Sequence, residues 1–488
     1  MFGERIFFFL NEYHEIKNKE DWNNKFFPKL WIYNLHYFDD LNAIDAESRV
    51  DWHRKLIDSW IDQNPLYQGV GWTPYPSSLR IINWIKWAFK GNSFEDSWIF
   101  SLVLQVRNLK NNLEKHLLGN HLFANATALI YAGLFFKGEE SRHWYEIGYE
   151  IFKTELSEQI LPDGAHFELS TMYHSIILEN LLDILNIHNA YNKRLPEKII
   201  EKISSMFLWL KNMSHPDGEI SFFNDAAFGI SPILNELKDY GSRLSLKDLF
   251  KSSGKNNKII FYKHCGYSRI ETDDVVALID RSPVGPDYLP GHAHADTLSF
   301  ELSIFKKRVI VNSGTSIYEN VIERELQRGT AAHSTIVIDK EDSSEVWDSF
   351  RVARRARVFD IKNSEEELSI KLSAAHNGYH RLKGKPTHYR SWEFKKNTLI
   401  IEDRIIGNGK HSIEAILPLH PEVKLKGIHG NKATLEISKI PIEILIDGNG
   451  LLEAKQSNFN AEFGLSIENI KLVYFVSDIL PVFIKTII

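Results

Sequence analysis

The chain reads as a helical region followed by an antiparallel β region, and three observations predict it. Apolar residues recur at helical spacing between residues 51 and 237, they alternate with period two beyond about residue 255, and the helix breakers fall between the apolar blocks. The predicted domains are therefore 1–255, helical with an N-terminal extension of about 50 residues, and 256–488, an antiparallel β-sandwich. A length of 488 residues suits this, since roughly 150 residues per domain gives two to four domains with enough material for real cores.

The elements follow in order. Leu56, Trp60, Leu79, Ile82, Trp84, Ile85 and Trp87 begin the helical pattern, and Met172, Ile176, Ile177, Leu181, Ile184 and Leu185 repeat it with polar residues between. Gly91, Gly119, Pro162-Asp163-Gly164, Pro196 and Pro216-Asp217-Gly218 punctuate it into successive amphipathic helices. A polar bridge, residues 251–258, marks the change of period. Strands are expected at 275–279, 298–304, 309–311, 335–338, 368–372 and 399–402, with a turn at 447–450.

Composition narrows the function classes. Hydrophobic residues at 43%, charged residues at 25%, 27 Gly and 16 Pro describe a folded chain, not a disordered or collagen-like one. A single cysteine, Cys265, excludes an internal disulfide or a multi-cysteine zinc knot. With 58 Lys and Arg against 64 Asp and Glu, the net charge of −6 gives no general reason to bind nucleic acid or an anionic membrane. Arg351, Arg354, Arg355 and Arg357 alternate as the polar face of a strand does. The apolar run at residues 6–10 is too short for a signal peptide, and no apolar stretch reaches 18 residues, so the expected location is cytoplasmic. Eight of the 12 tryptophans fall in the first hundred residues, where helical spacing with Ile and Leu makes most of them core.

Common nucleotide-binding and hydrolase signatures are absent, and four polar constellations carry the chemistry. Gly119-Asn120-His121 opens a helical run, with His121 and Asn125 on one face at i,i+4; as a bare helix entrance, Asn120 reads equally well as an N-cap. Asp163 to His174 leads through a Ser/Thr cap into a helix with Tyr173 in its first turn, where the helix dipole favours a phenolate. In Gly291-His292-Ala293-His294-Ala295-Asp296, alternate residues share a face if the segment is extended, which groups His292, His294 and Asp296. His333, ahead of a further strand, completes that group.

In this order the segments resemble the heparinase II/III-like polysaccharide lyases, which include alginate lyases of the same architecture. The resemblance spans most of the chain: the Asn-His-Leu helix, Asp-Gly-x-x-Phe-Glu-x-Ser-x-x-Tyr-His, Gly-His-x-His-Ala-Asp-x-Leu-Ser-Phe-Glu, Asn-Ser-Gly-Thr and Ala-His-Ser-Thr. It implies an incomplete (α/α) toroid followed by an antiparallel β-sandwich, and β-elimination at a uronic acid. A C5 proton becomes acidic only when the neighbouring carboxylate is neutralised, so the reaction needs a neutraliser, a base and an acid.

By resemblance Asn120 and His121 neutralise the carboxylate and Tyr173 protonates the leaving oxygen, while Tyr173 or His292 removes the C5 proton. Trp72 as a sugar platform, Tyr75, Arg80, Asn125 and Glu168 are the expected substrate contacts, Arg80 by pairing with sugar carboxylates. His294, Asn312 and His333 match a structural zinc site of some members, with Asn312 where Asp is common. Ala124 stands where some members carry a Glu, which leaves neutralisation chiefly to Asn120 and His121. No cofactor is expected to be required. The expected partner is an acidic polysaccharide or oligosaccharide, with neither nucleic acid nor membrane, and the protein is a monomer or a homodimer.

Two other readings stand beside elimination. A glycoside hydrolase would draw on Asp163, Glu168, Asp217 and Asp225, two of which would have to flank the scissile bond. A glycan-binding or processing role in surface-polysaccharide assembly would suit the missing signal peptide.

Overall fold

The computed structural model describes residues 1–247, 258–366, 369–395 and 398–488. The expected boundary at 255, most of the polar bridge and Leu368 of one expected strand lie outside the described residues. By internal contacts the chain forms two compact units, Met1–Ile160 with Glu179–Ile200, and Leu161–Leu178 with Glu201–Ile488.

The first unit opens with a hairpin, Ile6–Phe9 against Glu12–Glu15, and continues through α1 (Lys29–Tyr37), α2 (Val50–Gln63), α3 (Pro74–Phe89), α4 (Asp96–Asn111), α5 (Gly119–Phe135) and α6 (Glu139–Gln159). Its core is built on tryptophan, as the sequence predicts: Trp22, Trp31, Trp60, Trp84, Trp87 and Trp98 are all fully buried. α5 is apolar nearly all round and buried along most of its length, the pattern of a helix inside a core. Glycines bring α6 against it. A methyl at Gly148 would meet the Ala126 carbonyl at 2.8 Å, and one at Gly133 would meet the Tyr145 amide nitrogen at 2.6 Å.

α7 (Thr171–Ala190) contributes residues to both units. The second unit adds α8 (Ile199–Met213), α9 (Leu234–Arg243) and the short α10 (Ile322–Arg328) to three large antiparallel sheets and a two-stranded hairpin, Val346–Trp347 against Arg351–Val352. Five strands run in chain order from Lys258–Phe261 to Lys307–Ile310. Eight more span Val358–Glu366 to Ile487, and a four-stranded sheet pairs Leu451–Glu462, Leu465–Ile479, Lys410–Pro418 and Ile336–Ile338. Period-two patterning decides their faces: Thr387–Lys395 alternates half-buried and buried residues along its length. Ile270 and Leu302, Trp392 and Ile401, and Ile413 and Tyr474, two from each sheet, meet in one apolar cluster, which is the sandwich core. Among the described residues no helix is long and apolar enough to cross a membrane.

Candidate active site

In the second unit the polar centre is a buried carboxylate, Asp225. Its Oδ2 accepts from His292 Nδ1 at 2.9 Å and its Oδ1 from His294 Nε2 at 2.9 Å. Arg324 straddles both oxygens, with Nη2 2.8 Å from Oδ2, and Thr315 adds a donor at 3.2 Å. Burial alone would raise the Asp225 carboxyl, but the Arg324 guanidinium and the two imidazole hydrogen bonds hold it well below the usual carboxylate range. The main chain locks the geometry as well, since the Asp225 amide donates to the His292 carbonyl at 3.0 Å. Asn224 just before it is left-handed at φ +58°, a conformation asparagine tolerates better than most residues.

Because a carboxylate only accepts, His292 donates through Nδ1, and the neutral ring presents a lone pair at Nε2. Glu168 Oε2 lies 3.6 Å from that nitrogen. The ring of Tyr173 stacks on His292 with centroids 3.9 Å apart. Ser170 caps α7 by accepting from the Tyr173 amide at 3.2 Å, so Tyr173 sits in the first turn as the sequence predicts. Its hydroxyl lies 2.9 Å from that of Tyr318, whose own ionisation burial and the Asp225 charge push well above the usual range.

The His292–Asp296 segment is not a strand. His292 and His294 still converge, but on Asp225, while Asp296 turns away to accept from the Asn224 amide at 3.1 Å. His294 and His333 are fully buried with ring centroids 5.3 Å apart, and Asn312 is buried too. The His294 Nδ1 and Asn312 Nδ2 atoms have no hydrogen-bond partner among the described residues, whereas Asn312 Oδ1 accepts from Ser334 at 3.4 Å. A structural zinc takes four donors from thiolates, imidazoles and carboxylates. No three His, Cys, Asp or Glu gather that way among the described residues. Two imidazoles and one amide do not fit such a site.

In the first unit a second buried carboxylate, Glu114, organises the start of α5. Its Oε1 accepts from His121 Nδ1 at 3.0 Å and its Oε2 from Asn125 Nδ2 at 3.0 Å, so the i,i+4 pair is bridged by one side chain. Asn125 Oδ1 accepts in return from the Glu114 amide at 2.9 Å. Tyr75 lies against the His121 ring at 4.4 Å. Asn120 is buried at the second position of α5, and the cap residue is Leu118, so Asn120 is not an N-cap.

Three expected substrate contacts are buried inside the protein instead. Asn125 is fully buried, with its amide spent on Glu114 and on the Ser78 hydroxyl at 3.1 Å, and Trp72 and Arg80 are core residues. Trp72 is 5% exposed and packs on Trp60 and Tyr67 with centroids 5.6 and 5.2 Å away. Arg80 is fully buried with its guanidinium 3.8 Å from the Trp60 ring, donating to Gln105 at 2.8 Å and to the Gly71 carbonyl at 2.7 Å. The Pro-rich segment between Trp72 and Arg80 is the first turn of α3, where proline costs no hydrogen bond, while Trp72 ends the 3₁₀ turn Val70–Trp72 before it and Arg80 lies in the next turn of α3. The carboxylates of the hydrolase reading are largely spent on bracing: Asp163 accepts from two main-chain amides, Asp217 pairs with Arg308, and Asp225 is clamped as described.

Sequence reasoning passed over Glu114, Tyr318 and Arg324. Glu114 sits in an unremarked Asn-Leu-Glu-Lys run. Tyr318, however, follows the Asn-Ser-Gly-Thr motif by three residues and was there to be read.

Residues 29–250 match the family description Heparinase II/III N-terminus, and residues 254–472 match Heparinase II/III-like, C-terminal. The chain is 24% identical over 423 residues to a heparin-sulfate lyase of Bacteroides stercoris, covering 76% of this chain and 60% of that protein. A heparin-sulfate lyase of Bacteroides thetaiotaomicron is 22% identical over 408 residues, 74% of this chain and 56% of that one. The chain thus spans less than two thirds of these relatives' length. Among solved structures, that of heparinase III superposes with a TM-score of 0.76 at 18% identity, over 97% of this chain and 78% of that one. Heparan sulfate lyase HepC of Pedobacter heparinus gives 0.65 at 18% identity, over 97% and 79%. These likenesses carry the fold, a helical toroid followed by an antiparallel sandwich.

Proposed function

The chain belongs to the heparinase II/III-like family, and from that premise we propose that it is a polysaccharide lyase cleaving an acidic, uronate-containing glycan by β-elimination. The names of its relatives, heparin-sulfate lyases and a heparan sulfate lyase, make heparan sulfate the first substrate to try. The observation that carries the reading is the Tyr173–His292 stack backed by Asp225, which presents a phenolic O–H and an imidazole lone pair side by side.

In this reading the His292 Nε2 lone pair takes the C5 proton, the electron pair forms the C4–C5 double bond, and the C4–O bond breaks. Tyr173 delivers its hydroxyl proton to the departing oxygen. The proton taken up by His292 is then returned to the Tyr173 phenolate by way of the Tyr318 hydroxyl, which passes one proton on as it receives another and so stays in its O–H form, leaving both groups as they began. Asn120 and His121 neutralise the uronate carboxylate, with Glu114 fixing the ring of His121. Asp225 fixes the tautomer of His292, and Arg324 keeps Asp225 an anion.

The test is to incubate the protein with heparan sulfate and other uronate polymers and follow the ultraviolet absorbance of the unsaturated product. Tyr173→Phe should lower the rate by about 10²–10⁴-fold with folding intact. A panel without absorbance gain, or a Tyr173→Phe protein as fast as its parent, overturns the reading. New reducing ends without a double bond would point to hydrolysis.

A further inference from the structure

A short hairpin beside the catalytic cluster carries an aromatic and a cation that the reaction does not use. Val346–Trp347 pairs antiparallel with Arg351–Val352, and the register sets Trp347 directly across from Arg351. Cross-strand partners on one face lie close enough to touch, and the Arg351 guanidinium sits 5.0 Å from the Trp347 ring. Both are in water: Trp347 is 47% exposed and the Arg351 side chain 65%. A tryptophan this exposed is uncommon in a chain that buries most of its others.

The hairpin is held rigidly, and by the residues of the catalytic centre. Arg324, which clamps Asp225, also donates from Nε to the Ser349 carbonyl at 3.1 Å. The buried Arg328 donates to the carbonyls of Asp348 at 2.8 Å and Arg351 at 3.2 Å. Phe350 at the hairpin tip meets the His292 ring edge-on at 6.0 Å and the Tyr318 ring at 5.3 Å. The platform is thus one side chain removed from the reacting groups.

Its charge is also available. Arg354 is paired with Glu345, while Arg355 and Arg357 share Asp287. Among the described residues Arg351 has one ionic partner, Asp348, at 3.7 Å, beyond hydrogen-bonding distance. A half-exposed indole with a guanidinium over its ring suits a pyranose ring that carries a carboxylate or a sulfate, the sugar packing on the indole surface that Arg351 leaves open.

We infer that the Trp347–Arg351 hairpin is a subsite for an anionic sugar adjacent to the one that reacts. The inference deepens the lyase reading and rests on it for the identity of that neighbour. The ring of the sugar lies on Trp347, its anionic group pairs with Arg351, and Phe350 separates it from His292.

The experiment measures oligosaccharide affinity on the full-length Tyr173→Phe protein, with heparan sulfate, alginate and neutral dextran as probes. Trp347→Ala and Arg351→Ala should each weaken binding of the acidic probe by about tenfold. Trp347→Phe should recover most of the loss, and dextran binding should not respond to Arg351→Ala. On the otherwise unchanged protein the same substitutions should raise KM for the polymer and leave kcat nearly constant. Unaltered affinity in both alanine variants overturns the subsite, as does failure of the Tyr173→Phe protein to hold either acidic probe. Hairpin-dependent binding without any unsaturated product would instead sink the lyase reading and leave the subsite standing.

Discussion

His121 and His292 are each held through Nδ1 by a buried carboxylate, yet the two carboxylates are supported differently. Glu114 is met by an amide, Asn125, and by His121 itself. Asp225 is met by a guanidinium, a permanent cation, as well as by two imidazoles and a hydroxyl. The Asp225 anion therefore does not depend on the charge of the histidine it holds. At Glu114 the histidine is half of the support. In the proposed reaction the difference matches the two roles, a base at His292 and a carboxylate neutraliser at His121.

The sharpest way to break this comparison is to remove the support. Arg324→Met leaves a buried carboxylate without its cation and should destabilise the protein by about 3–5 kcal/mol in urea unfolding. Asn125→Ala removes a neutral partner and should cost about 1–3 kcal/mol. Equal losses would mean that the guanidinium has no special part. In folded material, Asp225→Asn should lower kcat by about 10²-fold or more through the wrong His292 tautomer, while Glu114→Gln should act mainly on KM.

A subtler comparison sets one buried histidine of each unit side by side. His36 accepts from Trp60 Nε1 at 3.0 Å and donates to the Trp22 carbonyl at 2.9 Å. His174 accepts from the His166 amide at 3.2 Å and donates to the Met206 carbonyl at 3.0 Å. Burial pushes both down to about 3, helped at His36 by the Arg80 charge. Below about pH 6.5 the unfolded chain binds protons that these rings refuse, so stability is full above that pH and falls as pH drops toward 3. Each should contribute a slope of about 1.4 kcal/mol per pH unit in denaturant titrations between pH 6 and 4. His36→Gln and His174→Gln should each flatten the curve by that amount, and a flat parental curve would contradict the neutral assignment. The smallest expected effect is that of chelation. With an amide, Asn312, as the only further donor beside the two imidazoles of His294 and His333 in the expected metal set, EDTA should leave both melting temperature and activity unchanged.

How much was legible in the sequence depended on distance along the chain. His292 and His294 stand two residues apart, and Tyr173 stands at a recognisable cap, so local spacing exposed them. Arg324 and Asp225 are 99 residues apart, and only the folded sandwich pairs them. Trp72 and Arg80 were misjudged because a Pro-rich run reads as a loop, whereas proline also opens helices, and the sequence does not say which way such a turn faces. The helical and β regions themselves were plain, since periods of 3.6 and 2 survive many local exceptions.

The glycine contact between α5 and α6 bears on how a mutational scan of this protein would look. Gly133 lies 12 residues from His121, about 18 Å along the helix axis. Yet a methyl there, or at Gly148, must push α6 and α5 apart. The scan should therefore show intolerance at two positions that carry no chemistry, and it would mark the seam where α6 closes on α5.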